Sequence, residues 1–136
     1  MTRIAALPFE QTAASAQMQL EGIRKGLGFI PNTFATLAHA PAALSGYLAL
    51  SQALGKGTLN AKAREVVALA SSQVNGCEYC LAAHTAIGKR TGLTTEQIDA
   101  GRKGTSEDPK TAAALGFARK LVANRGKATD ADVTAV

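Results

Sequence analysis

The stretch "LNAKAREVVALASSQVNGCEYCLAAH", Leu59 to His84, decides how this chain is read. In its first part, Val66, Val67, Leu69, Ala70 and Val74 recur at helical spacing, with none of the strict alternation of a strand. Asn60 stands where a cap is needed and can accept backbone N–H bonds at the helix start. Asn75 and Gly76 tolerate the left-handed conformation that stops a helix. A second helix then begins at about Cys77 and runs to the glycines between Gly88 and Gly92. The segment therefore predicts a helical hairpin with "NGC" as its hinge.

Working outward, the rest of the chain reads the same way. "FEQTAASAQMQLEGIRKGLG", from Phe9, predicts a helix with Met18, Ile23 and Leu27 near one face and a glycine stop. A short helix follows from about Asn32. Pro41 breaks it and opens a longer one that ends near Gly55, because proline is tolerated in a first turn but not beyond. Beyond the hairpin, Thr94 and Gln97 form a capping-box pattern. Asp108 and Pro109 start another helix that stops before Gly126, and "TDADVTAV" begins a last short one. No stretch reads as a strand. The fold class is all-α, one helical bundle over residues 1–136.

Composition fits that class. Hydrophobic residues make up 46% of the chain, while aromatics are 4% and Trp is absent, so the core must be built from Ala, Leu, Val and Ile. The net charge of +5 is spread in pairs such as Arg24 with Lys25 and Lys89 with Arg90. No run of like charge and no interleaved aromatics favour nucleic acid as a partner, so solvated helix faces are the expectation. No apolar stretch has the length of a membrane span, and "MTRIAALPFEQ" lacks the apolar segment of a secretory signal. A cytoplasmic protein is expected, where thiols stay reduced and a close cysteine pair signals redox or metal chemistry.

Both cysteines and one of the two histidines lie between Asn75 and His84. On a helix, Cys80 stands roughly 300° and His84 roughly −20° from Cys77, so the three fall within an arc of roughly 60°. Cys80 and His84 are direct neighbours at a spacing of four. Cys77 and Cys80 are close enough to bridge across the first turn. The N-terminal end of a helix offers unpaired N–H groups and a positive dipole, which favour a thiolate, and a nearby imidazole can take the proton. Such thiolates attack peroxides and disulfides, and the sulfenic acid that results condenses with a second thiol. Glu65 lies on the preceding helix. If the two helices run antiparallel, its carboxylate can reach and orient His84; otherwise it is a solvated partner of Lys62 or Arg64.

Glu65, the Cys77-Glu78-Tyr79-Cys80 motif, His84 four residues later and the turn "IGKRTGLT" together resemble the core signature of the alkylhydroperoxidase D-like group of the carboxymuconolactone decarboxylase family. The likeness runs from Arg64 to Ile98. The upstream "FIPNTFATLAHAPAALSGYLAL" is similar to peroxidase-related members. The resemblance implies an antiparallel helical bundle with the CxxC at a helix N-terminus, and commonly a homo-oligomer. It implies a peroxidase cycle. Cys80 would attack the hydroperoxide, and Cys77 would donate a proton and close the disulfide. Glu65 and His84 would relay protons, and an external dithiol would reduce the pair. No cofactor or metal is implied. Members of the family continue through further helices after the point that corresponds to Val136.

Three other readings compete. Decarboxylase or lactone chemistry on the same fold does not rely on a CxxC. Zinc held by Cys77, Cys80, His84 and Glu65 would depart from the usual set of four Cys or His from separated segments. An inert buried thiol pair with a satisfied histidine needs no chemistry at all. His39 is expected to end a helix or meet solvent. Tyr79 is expected to line the site or to pack between helices.

Overall fold

A computed structural model describes residues 3–136, and all regular structure among them is helical. The chain forms two compact units, Met1–Gly57 and Thr58–Val136.

The first unit opens with a 3-10 turn, Phe9–Gln11, followed by α1 (Ala14–Leu27), α2 (Asn32–Leu37) and α3 (Pro41–Leu54). Gly28 ends α1 with φ +86°, a left-handed cap whose N–H reaches the Arg24 carbonyl. Ala16, Leu20, Ala38 and Leu44 form the core, with Ile23, Phe34 and Leu48 packed against it. Met18 departs from the sequence reading: it is 75% exposed. It lies nine residues from Leu27, and nine residues at about 100° each is half a revolution, so the two side chains point to opposite sides. The chain between Gln11 and Ala14 is also not helical, so the first helix starts later than Phe9.

The second unit contains α4 (Ala61–Val74), α5 (Glu78–Arg90), α6 (Thr95–Lys103), α7 (Pro109–Ala123) and α8 (Asp130–Thr134). α4 is its centre and packs against α5, α6 and α7. Val66, Leu69 and Ala70 from α4 meet Leu93, Ile98 and Leu115 in one cluster, and Leu69 and Leu115 are fully buried. Burying a leucine of this kind contributes about 1.5–3 kcal/mol relative to leaving it exposed. α6 comes close to α4 because Gly101 has no side chain; a Cβ there would stand 2.7 Å from Val66 Cγ1. The expected buried stripe of α4 is shorter than its sequence pattern. Val74, in the last turn, is 37% exposed, whereas Ser72 is buried by satisfying its hydroxyl on the Ala68 carbonyl.

Caps fix the helix starts. Asn60 Oδ1 accepts from the Ala63 N–H at 2.9 Å, Thr94 and Gln97 form a reciprocal box, and Asp108 accepts from the Thr111 N–H at 2.8 Å. α8 is short, and a second box between Thr129 and Asp132 closes its first turn. Lys120 of α7 pairs with Asp132 and ties α8 to the unit. Among the described residues, no helix is long and apolar enough to cross a membrane.

Candidate active site

The joint between α4 and α5 sets the site. Asn75 closes α4 in a right-handed conformation, and Gly76 alone takes the left-handed one, with φ +62°. The Cys77 N–H then reaches back to the Ser72 carbonyl at 3.0 Å. That bond, with the left-handed glycine before it, is the Schellman way of ending a helix. Cys77 is thereby delivered as the N-cap of α5, with extended backbone at φ −86° and ψ 91°. Its sulfur accepts the Cys80 N–H at 3.2 Å. Cysteine is not among the residues that usually cap helices, and sequence reasoning placed Cys77 at the helix start without giving its sulfur this bond.

Cys77 and Cys80 are joined in a disulfide, with Cα atoms 5.3 Å apart. Both residues are half-buried. A pair spaced by three across the first turn of a helix falls within the separation a disulfide accepts.

His84 stands one turn beyond Cys80 on α5. Its Nδ1 is 2.8 Å from Glu65 Oε2 on α4, with the Glu65 side chain 17% exposed and that of His84 32% exposed. A carboxylate only accepts, so Nδ1 carries the hydrogen and Nε2 is the nitrogen left to take a proton. Of the partners weighed for Glu65, the structure brings it the imidazole. The Arg64 guanidinium donates to the Leu59 carbonyl at 2.6 Å.

The structure thus pairs Cys77 with Cys80 at the start of α5, and pairs His84, one turn further along α5, with Glu65 of α4. His39 lies in the first unit, where its Nε2 is 2.8 Å from the Ala5 carbonyl oxygen. Tyr79 is 49% exposed, which does not fit the expectation that it packs between helices. Among the described residues, no three His, Cys, Asp or Glu side chains come together as a metal-binding group. A cavity of about 490 Å³ opens where α4, α6 and α7 begin, beside the caps Asn60, Thr94 and Asp108, and none of Glu65, Cys77, Cys80 and His84 lines it. The reactive groups, not this hollow, mark the candidate site, because the cavity offers neither a sulfur nor an imidazole.

The model of the carboxymuconolactone decarboxylase family matches residues 41–122, which include all four residues. The chain belongs to this family. Among solved structures, it is similar to an uncharacterized peroxidase-related protein from Ralstonia eutropha JMP134, described as an alkylhydroperoxidase AhpD core. That match has a TM-score of 0.78 and 28% identity, and covers 99% of this chain and 75% of the other. An uncharacterized peroxidase-related protein from Silicibacter sp. TM1040 matches at a TM-score of 0.82 and 24% identity, over 98% of this chain and 74% of that one. The second likeness speaks for the fold alone. Comparison with curated proteins gives no match.

Proposed function

We propose that this protein is a thiol-dependent peroxidase that reduces hydroperoxides through the Cys77–Cys80 pair. One observation carries the reading: the two sulfurs form a disulfide at the start of the same helix in which, one turn on, His84 is held by Glu65. A thiol cycle needs two sulfurs that can bond and a base beside one of them.

In the reduced protein, His84 Nε2 accepts the proton of the Cys80 thiol, and the resulting charge on the ring is balanced by Glu65. The Cys80 sulfur attacks the terminal peroxide oxygen. The O–O bond breaks, the leaving alkoxide takes the proton from His84, and Cys80 becomes a sulfenic acid. Cys77 then displaces that hydroxyl, which leaves as water once protonated, and the S–S bond closes. A dithiol reductant returns both electrons and is itself oxidised to a disulfide. Such a cycle belongs in a compartment that supplies reduced dithiols, so we place it in the cytoplasm.

Decarboxylase chemistry within the family has no use for the S–S bond, which favours the thiol reading. A homo-oligomer fits α3, which has no charged residue and exposes Tyr47, Leu50 and Leu54.

The test is peroxide consumption with a dithiol reductant. Cys80→Ser should fall to the uncatalysed rate with helicity intact. Without reductant, Cys77→Ser should consume one equivalent of peroxide and stop as the sulfenic acid. Full turnover by Cys80→Ser would refute the thiol mechanism.

A further inference from the structure

Resting on the thiol-exchange reading above, we propose that Cys77 enters and leaves the disulfide as a thiolate, so that every bond exchange takes place at the Cys80 sulfur. Three observations point the same way. The Cys80 N–H donates to Cys77 Sγ at 3.2 Å, so the helix cap acts on the Cys77 sulfur. The Cys77 backbone is fixed in that position by the bond from its N–H to the Ser72 carbonyl at 3.0 Å and by the left-handed Gly76 before it. His84, the base, is one turn beyond Cys80 in α5, and its other ring nitrogen is taken by Glu65.

The consequence follows from the chemistry of exchange. The sulfur that departs does so as an anion, and the better-stabilised thiolate departs faster. An N–H donor bonds an anionic sulfur more strongly than a neutral one, and the positive end of the helix adds to that preference. Breaking the bond toward Cys77 gives the thiolate a donor already in place. Breaking it toward Cys80 gives no such gain, because the Cys80 N–H faces the other sulfur.

Reduction then runs as follows. A reductant thiolate attacks Cys80 Sγ, a mixed disulfide forms on Cys80, and Cys77 leaves as a thiolate. The second thiol of the reductant attacks its own sulfur in that mixed disulfide. The reductant leaves as a disulfide, two electrons remain on the protein, and Cys80 departs beside His84, which can supply its proton. Closure runs by the reverse polarity: the Cys77 thiolate attacks the sulfenic sulfur of Cys80. Position alone argues for the opposite order, since Cys77 lies nearer the helix end. The cap overrides that advantage.

The test treats the disulfide form of the intact protein with limiting 2-mercaptoethanol, quenches in acid and alkylates the released thiol. Fragmentation of the peptide between Arg64 and Lys89 locates the two adducts. The mercaptoethanol should sit on Cys80 and the alkyl group on Cys77, with an excess of about tenfold, as expected when leaving-group acidity governs exchange. An equal mixture, or mercaptoethanol on Cys77, would overturn the inference. A second measurement is the ultraviolet absorbance of the thiolate against pH in Cys80→Ser. The lone Cys77 should ionise about one pH unit below the ordinary thiol range; an ordinary value also overturns the inference. Neither experiment uses peroxide. Failure of the peroxidase reading appears instead as a wild type that exchanges thiols but leaves hydroperoxide untouched.

Discussion

α4 and α5 begin in the same way with different atoms. At the start of α4, the amide oxygen of Asn60 takes the Ala63 N–H; at the start of α5, the sulfur of Cys77 takes the Cys80 N–H. The geometry is shared, and the outcome is not. The oxygen of Asn60 keeps its bond whatever happens around it. The sulfur of Cys77 changes charge and partner as the disulfide opens and closes, so its cap strengthens in one state and weakens in the other. One position holds a helix, and the other also holds a reaction. Each helix also supplies half of the proton pair: Glu65 comes from the structural helix, His84 from the chemical one.

Substitutions can pull these two roles apart. The largest effect is expected at Glu65. Glu65→Gln keeps the shape and can still accept from His84, but it no longer balances a charged ring. Peroxide turnover should fall by about 10²-fold, in the range a positioned acid–base group supplies, with no loss in urea-unfolding midpoint. Unchanged turnover would remove Glu65 from the proton pathway and leave α4 purely structural.

The mirror experiment is Asn60→Ala. Loss of this cap should cost about 1 kcal/mol of unfolding free energy in urea. The thiolate titration of Cys77 should stay where it was, because the change touches the start of α4 only. A shift in that titration would mean that the two helix starts are coupled, contrary to the comparison.

The smallest effect belongs to a third cap, at α8, where charge does the work. The Lys120 ammonium and the N–H and hydroxyl of Thr129 hold the Asp132 carboxyl down at about 2, from an ordinary 3.8. The folded value lies below the unfolded one. The stabilisation is therefore complete above 3.8 and disappears as pH falls through about 2. An acid titration followed by amide NMR should show the Thr129 and Asp132 signals moving toward their unfolded positions in that window. Release of α8 at a higher pH would show that the carboxylate does not hold it.

The order of helices was legible in the sequence because its punctuation is local. Asn60, Thr94 with Gln97, Asp108 with Pro109, and the glycines after α1 and α7 each signal a start or stop within a few residues. Faces were harder to read. Met18 is apolar and falls in a helix, yet it lies opposite the buried Leu20 side. Val74 follows the apolar period but extends past the covered part of α4. Ser72 shows the converse: a polar residue is buried because its hydroxyl turns back onto its own helix. At the site, the closeness of Cys77 and Cys80 could be read from their spacing across a first turn. The approach of Glu65 to His84 depended on how two helices fold back, which spacing allows but does not fix. The sulfur cap could not be read from residue preferences, since it arises from the backbone that Gly76 and Ser72 impose on Cys77.

That short joint has a wider meaning. Glu65 and His84 are nineteen positions apart, yet their meeting depends on the three residues between the helices. Inserting one residue inside α5 ahead of His84 would swing the imidazole by about 100° about the helix axis, carrying it off the carboxylate while α4 stayed whole. The span from glutamate to histidine therefore sets where the imidazole points, as a ruler sets a length.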